Sequence, residues 1–171
     1  MTVHLQSVRF VVRTKDEPDA GTDSPVDMRY WVTPGSSTSL SAGWQTAVLD
    51  HSWDDRERAR TEMYQIDIPE AAFAISLSGT TVPTGIRYAS FVEARTAQFV
   101  IRTGGDDLWK IDCYHLLGHF IEMAFVPGTI DEFRVQDLGW RLMASAENDI
   151  VMSTDSREGL TSHPIAMNGT F

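Results

Sequence analysis

Carboxylates concentrated in three turn-like stretches are the residues of this chain with the most evident chemistry. The candidate ligands are Gly21 and Asp23 in the first stretch, Asp54, Asp55 and Glu57 in the second, and Asp106 and Asp107 in the third. Carboxylates gathered at one end of a β-structure repel one another unless a cation lies between them. Calcium suits such a site, because it takes about six to eight oxygen ligands, including carboxylates and backbone carbonyls. Solvated turns are the alternative, since Asp and Gly are ordinary turn residues.

Short strands separated by polar turns are predicted to position these carboxylates. Apolar and polar residues alternate at 8–12, 26–32, 64–68 and 97–101, which is the pattern of half-buried strands. Turn residues separate such segments at near-regular intervals. The fold class expected is therefore all-β, an antiparallel β-sandwich of about eight or more strands with little helix.

The same alternation predicts which residues form the core. The residues expected to be largely buried are Val8, Phe10, Val12, Met28, Tyr30, Ile66, Ile68, Phe99, Ile101, Trp109 and Ile111. Residues 1–126 are assigned to the sandwich, and residues 127–171 to a C-terminal hairpin extension packed on the same domain. Within these segments, Gly118 is expected at a turn between two strands, and 140–144 is expected to pair with 150–152.

Charge and composition narrow the classes of partner. Hydrophobic residues make up 42% of the chain, and its formal net charge is -10. Such a surface repels nucleic acid, and it repels an anionic membrane unless a cation intervenes. No apolar run approaches the length of about 20 residues that spans a bilayer. The first residues lack the pattern of a signal peptide, so a cytoplasmic protein is expected.

Three stretches in order also match the motifs of a known family. Val-Arg-Phe-Val-Val-Arg-Thr at 8–14 precedes Ala-Gly-Thr-Asp at 20–23, Leu-Asp at 49–50 precedes Asp-Asp-Arg-Glu-Arg-Ala at 54–59, and Asp-Asp-Leu-Trp follows at 106–109. Over residues 5 to 125 the chain thereby resembles the PLAT domain, also called the lipoxygenase-homology domain. The resemblance implies an eight-stranded antiparallel β-sandwich, calcium sites in the loops at one end in several members, and docking to membranes or partner proteins.

The resemblance also implies how the candidate ligands meet. Gly21 and Asp23 are expected to face the second acidic stretch, and Asp106 or Asp107 to close the site, with Gly21 bending the backbone. Three departures from the family pattern stand in or beside this site. Arg56 replaces the usual aromatic residue, Ala59 replaces the usual glycine, and Leu108 is an extra residue before the tryptophan.

Tryptophans next to the acidic stretches are candidate contacts for a ligand or membrane. Trp31, Trp44 and Trp53 are predicted to lie in or beside the acidic-loop region. Trp53 immediately precedes Asp54, and a tryptophan at a loop tip suits insertion at a membrane interface. The alternative is that these tryptophans belong to the core.

Histidine and cysteine side chains offer weaker candidates. His115 and His119 stand four residues apart with Glu122 three further on, a zinc-like spacing on a helix. On strands the two rings need not converge, so structural histidines are favoured. Cys113 is the only cysteine, and an inert buried thiol is the favoured interpretation.

Two functions from different classes follow. The first is a stand-alone, calcium-assisted module that binds a lipid surface or a partner protein. The second is a small pocket-bearing enzyme of the cyclase type that acts on a hydrophobic metabolite, with Trp140, Met143 and Met152 walling the pocket.

Overall fold

A computed structural model describes residues 2–31, 44–51, 56–68, 73–77, 80–84, 89–90, 97–125, 127–128, 133–147 and 149–169. In this part of the chain all regular structure is β-strand, which confirms the expected all-β class. The strands are β1 (Thr2–Thr14), β2 (Val26–Trp31), β3 (Gln45–Val48), β4 (Thr61–Asp67), β5 (Phe73–Leu77), β6 (Thr80–Thr84), β7 (Ala89–Ser90), β8 (Gln98–Thr103), β9 (Trp109–Phe125), β10 (Phe133–Ala146), β11 (Ile150–Met152) and β12 (Ser162–Ile165).

Two antiparallel sheets form the sandwich. The larger sheet has the order β10-β9-β1-β4, with β11 also pairing with β9 and β7 with β1. The smaller sheet has the order β12-β8-β2-β3, and β5 and β6 form a separate two-stranded hairpin. Strands adjacent in a sheet are often distant in sequence, so the fold depends on long-range pairing.

The core between the two sheets confirms the predicted registers. All eleven residues expected inside are buried, none more than 6% exposed. On β2, buried and half-buried residues alternate without interruption, because successive side chains of a strand point to opposite faces. Each large apolar side chain taken out of water in this way contributes about 1.5–3 kcal/mol.

Gly118 does not form the expected turn. It lies inside β9, which continues from Trp109 to Phe125 as one strand. A β-carbon added at Gly118 would lie 2.5 Å from Met143 Sδ, 2.8 Å from Leu5 Cδ1 and 2.9 Å from Phe120 Cε2. The glycine is therefore needed because core side chains pack onto the backbone there.

The C-terminal segment is woven into both sheets. β10 and β11 do not pair with each other as the expected hairpin; both pair with β9 at successive registers. β12 pairs with β8 of the smaller sheet. Residues 140–144 and 150–152 therefore both pair with β9. The long strand β9 offers more backbone hydrogen bonds than the two short segments could offer each other.

Candidate functional site

Three loops that carry the predicted ligands meet at one end of the sandwich. They are 15–25 between β1 and β2, 49–60 between β3 and β4, and 104–108 between β8 and β9, with 52–55 outside the described residues. The strand registers place them together, because the pairs Arg13↔Thr61 and Val26↔Thr103 both lie at this end. We call these three segments the loop end.

Hydrogen bonds join the first loop to the third. The Asp23 amide donates to Asp107 Oδ2 at 2.9 Å, and the Thr22 hydroxyl donates to the Asp107 carbonyl at 3.4 Å. The Lys110 amide donates to the Ala20 carbonyl at 2.9 Å. Two of the predicted ligand residues, Asp23 and Asp107, are therefore neighbours in space, although 84 residues separate them in the chain.

Gly21 brings the first loop against the second. A β-carbon at this position would lie 3.0 Å from the Arg56 carbonyl oxygen and 3.3 Å from Glu57 Cα. The sequence suggested that Gly21 is needed to bend the backbone. In the structure its value is that it allows two loop backbones to approach closely, next to Glu57.

A buried chain of hydrogen bonds joins the bases of the three loops, and the sequence alone did not predict it. The Trp109 indole Nε1 donates to Thr14 Oγ1 at 3.0 Å, and that hydroxyl donates to the Arg56 carbonyl at 3.3 Å. Thr14 and Trp109 are both almost fully buried. All three residues belong to the stretches that resemble the PLAT domain, so the order of those stretches was the available signal.

Ion pairs divide the carboxylates around the loop end into two groups. The paired ones are Asp16 with Arg58 at 2.7 Å, Glu17 with Lys15 at 2.8 Å, Asp149 with Lys15 at 2.9 Å, and Asp155 with Arg157 at 2.6 Å. The hydrogen bond from Lys15 lowers the pKa of Glu17, and the one from Arg157 lowers the pKa of Asp155. Among the described residues, no basic side chain pairs with the predicted ligands Asp23, Glu57, Asp106 and Asp107.

The described residues alone do not complete a calcium site. Within them, no three histidine, cysteine, aspartate or glutamate side chains are grouped so that they could hold a metal. Asp23 and Asp107 are adjacent, but two carboxylates fall short of the oxygen ligands that calcium requires. Asp54 and Asp55 lie outside the described residues. A calcium site here therefore depends on those two side chains.

The backbone conformation is unusual at two of the departures from the family pattern. Arg56 and Ala59 both adopt a left-handed conformation, with φ of 60° at each. Glycine adopts this conformation without a steric penalty, which accounts for the glycine that the family has at the position of Ala59. Asp19, with φ of 56°, is the third such residue outside glycine in the described chain, and it too lies at the loop end.

Trp31 and Trp44 lie away from the acidic loops, contrary to the sequence interpretation. Strand β2 begins beside the loop end at Val26 and carries Trp31 to the opposite end. The Trp31 and Trp44 rings meet edge to face with centroids 6.0 Å apart, and Arg29 Cζ lies 5.3 Å from the Trp44 ring centroid. Trp53, the strongest candidate for membrane contact, lies outside the described residues.

The two histidines of the zinc-like spacing occupy the outer face of the larger sheet. His119 Nε2 lies 2.8 Å from Asp137 Oδ1, and its ring stacks on Trp140 with centroids 5.0 Å apart. His115 lies on the same strand face, two rows away. The contacts of His119 are those of a structural histidine, and the role of His115 stays a prediction. Cys113 is half-buried. Burial is the larger cause that raises the pKa of its thiol, and the negative charge of Asp112 is the second cause.

The residues expected to wall an enzyme pocket do not line one cavity. Met143 and Met152 are fully buried in the core. Trp140 pairs across strands with His119 on the outer face of the larger sheet, where Arg9 Cζ lies 4.0 Å from its ring centroid. The alternating faces of β10 and its bulge near Ala144 separate these side chains.

Comparisons with known proteins support the fold. No protein-family model matches the sequence, and a search of curated proteins finds no relative. Among solved structures, "Alpha Toxin from Clostridium Absonum" matches with a TM-score of 0.52 and 15% identity, over 95% of this chain and 32% of that chain. "Crystal structure of Delta413-417:GS I805A LOX" matches with a TM-score of 0.48 and 12% identity, over 95% of this chain and 16% of that chain.

The alpha-toxin match shows the fold. The chain has the PLAT-like β-sandwich that its sequence motifs implied. It spans about a third or less of the length of the structures it matches, and a shared fold does not carry over an activity. In the part of the chain that the structure describes, no helix is long and apolar enough to cross a bilayer.

Proposed function

We propose that this chain is a binding module that docks on an anionic lipid surface through its loop end, assisted by calcium. One observation carries the proposal: four of the predicted ligand residues gather at this end, and no described basic side chain pairs with them. Other carboxylates around the same end do have such partners. The loop end thus retains negative charge that a cation can neutralise.

The residues that would hold calcium are Asp23 and Asp107, the Gly21 carbonyl, and Asp54 with Asp55. The Asp23 amide is hydrogen-bonded to the Asp107 carboxylate, and Gly21 packs against Arg56 and Glu57 of the second loop, the loop to which Asp54 and Asp55 belong in sequence. When bound, calcium supplies positive charge between these carboxylates and the phosphates of lipid headgroups. Glu57 and Asp106 flank this set.

Calcium dependence follows from the charge of the whole chain. A protein with net charge -10 is repelled by an anionic leaflet, whose surface potential is negative. Neutralising the loop end removes the repulsion where the protein would touch the membrane, and Trp53 beside Asp54 would then enter the interface. Without the cation, the same end faces the membrane with like charge.

Vesicle sedimentation tests the proposal. Vesicles of phosphatidylserine with phosphatidylcholine should sediment the protein in millimolar calcium and release it in excess chelator. Vesicles of phosphatidylcholine alone should sediment little protein under either condition. Asp54→Ala should abolish the calcium-dependent fraction, whereas the matched change Asp67→Asn, on the exposed part of β4, should leave it intact.

Two results would contradict lipid docking. One is equal sedimentation with calcium and with chelator. The other is calcium binding, measured by calorimetry, without any vesicle binding, which would favour a partner protein as the ligand of the loop end. Trp53→Ala should weaken vesicle binding by about tenfold, the factor that corresponds to about 1.4 kcal/mol. Trp44→Ala, at the opposite end, should not.

A further inference from the structure

The second acidic loop contains a buried cation of its own. Arg56 is only 5% exposed, although arginine is almost never buried unless it is paired. Its Nη1 donates to the Leu49 carbonyl and lies 3.5 Å from the Tyr64 hydroxyl, and its Nη2 lies 3.8 Å from Asp50 Oδ1. One planar guanidinium therefore links the start of the loop, at residues 49–50, to Tyr64 in the middle of β4.

The main chain of Arg56 is tied down as firmly as its side chain. Its carbonyl accepts the Thr14 hydroxyl, which in turn accepts the Trp109 indole N–H. Its left-handed φ is unfavourable for a residue that has a β-carbon, and glycine is the residue that adopts it without cost. Such strain persists only where surrounding contacts over-determine it. The guanidinium contacts Leu49, Asp50 and Tyr64 in different directions, which suits a planar group with five donors.

We propose that Arg56 is a positioning residue that acts as the resident cation of the second loop and forms the loop end without a metal. Its positive charge faces Asp50, and its donors satisfy the Leu49 carbonyl, so the loop closes before any ion binds. Calcium then meets loops that are already formed. This role of Arg56 in holding the loops does not require the protein to bind lipid, so a failure of vesicle binding would leave it unaffected.

The Trp109 indole proton is the natural probe. It is the far end of the hydrogen-bond chain that passes through Thr14 to Arg56, and its NMR signal can be assigned by its loss in Trp109→Phe. In the full-length protein in excess chelator, the indole proton should already exchange slowly, and calcium should slow it further only as far as it raises the stability of the whole fold. An indole proton that is unprotected in chelator and becomes protected only in calcium would show that a metal holds the loops, and would overturn the proposal.

Variants at the same position separate the guanidinium from the backbone. Arg56→Gly removes the side chain and also relieves the left-handed strain, so a loss of order cannot be attributed to strain. We expect exchange of the Trp109 indole proton to accelerate by about tenfold or more through local opening. Arg58→Gly is the matched control, since it removes an exposed ion pair in the same loop, and it should change exchange by less than about twofold.

Chemical rescue gives the decisive readout. Millimolar methylguanidinium should restore slow exchange in Arg56→Gly, because it can refill the vacated site with the same fork of donors. In excess chelator, methylammonium should not, and rescue by methylammonium as complete as by methylguanidinium would contradict the proposal. If Arg56→Gly does not fold, Arg56→Lys keeps the charge but loses the fork, and should show intermediate exchange. Exchange in Arg56→Lys as slow as in the unmodified protein would also contradict it.

Discussion

The two ends of the sandwich are built in different ways. At the loop end, buried polar groups connect three loops through Thr14, and carboxylates face outward. At the opposite end of the smaller sheet, the Trp31 ring packs edge to face on Trp44, with Arg29 nearby. Buried hydrogen bonds fix the geometry of the loop end, whereas packing holds this aromatic cluster. The loop end therefore presents its carboxylates on loops of fixed geometry.

Distance along the sequence is a poor guide to which end of the sandwich a residue occupies. Trp31 is eight residues from Asp23, and both were expected in one region. A strand rises about 3.3 Å per residue, so β2 carries Trp31 roughly 16 Å beyond Val26. Thr14 and Trp109 are 95 residues apart but share a hydrogen bond. Strand pairing brings distant residues together at the loop end. A single strand carries residues that are close in sequence to opposite ends of the sandwich.

Calcium should have the largest effect on stability, and only through the loop end. An ion at 100 times its Kd stabilises the folded state by about 2.7 kcal/mol. In a chain of this size that corresponds to a rise in Tm of roughly 5–10 °C. Thermal melts in millimolar calcium and in excess chelator measure it. Asp54→Ala should remove the shift, and Asp67→Asn should keep it.

An unchanged Tm would remove the calcium site and leave the two ends equivalent with respect to metal. A shift that survives Asp54→Ala would mean that Asp54 is not a ligand. The described residues alone contain no group of three carboxylates that could hold a metal, so the result depends on Asp54 and Asp55 of the second loop.

Thr14→Val should have the next largest effect, because it breaks the buried hydrogen-bond chain. The change keeps the shape of the side chain but leaves the Trp109 indole N–H without its acceptor. A buried unsatisfied donor costs about 1–3 kcal/mol, and urea titration should show a loss of about 2 kcal/mol. Thr46→Val is the matched control on exposed β3, and it should stay within about 0.5 kcal/mol. Equal stability of both variants would show that the chain of hydrogen bonds does not hold the loop end.

The sequence predicted the apolar interior better than the polar ends for a physical reason. The burial of residues such as Phe10 and Ile101 is predictable from the alternation of apolar and polar residues alone, because each strand must turn one face to the core. The continuity of β9 through Gly118 depended on the sulfur of Met143 and on Leu5, both distant in sequence. No local pattern encodes such contacts.

The candidate site was predictable to the same limit. The acidic stretches and their order indicated which loops meet, and the structure places Asp23 beside Asp107. The buried position of Arg56 was not predictable, because a charged residue in an acidic loop is ordinarily solvated. Its partners Leu49 and Tyr64 become visible only once β3 and β4 are in place.

Ala59→Gly should have a smaller effect, of opposite sign. Ala59 is exposed and left-handed, with φ of 60°. Relief of the steric conflict gains about 1–2 kcal/mol, and the extra freedom of glycine in the unfolded chain costs about 0.5–1 kcal/mol. A net stabilisation of about 0.5–1 kcal/mol is therefore expected in urea titration. Ala166 is also exposed but is not left-handed, so Ala166→Gly should destabilise instead. A loss of stability in both variants would contradict the left-handed geometry of the second loop.

The smallest expected effect lies away from the loop end, at the exposed pair of Asp137 and His119. The Gly139 backbone N–H, and then His119, lower the pKa of Asp137. An aspartate has a pKa near 3.9 in the unfolded chain, so the stabilisation from this carboxylate is fully present above that pH. It is lost as the pH falls through the lower pKa of the folded state. The stability difference between the unmodified protein and Asp137→Asn should therefore be constant above about pH 5 and shrink below about pH 4. His119→Gln should retain most of that pH dependence, because the Gly139 N–H is the larger cause. If the stability difference between the two proteins instead grows on acidification, the ionised Asp137 carboxylate is destabilised in the folded state. Asp137 would then resemble the unpaired carboxylates of the loop end.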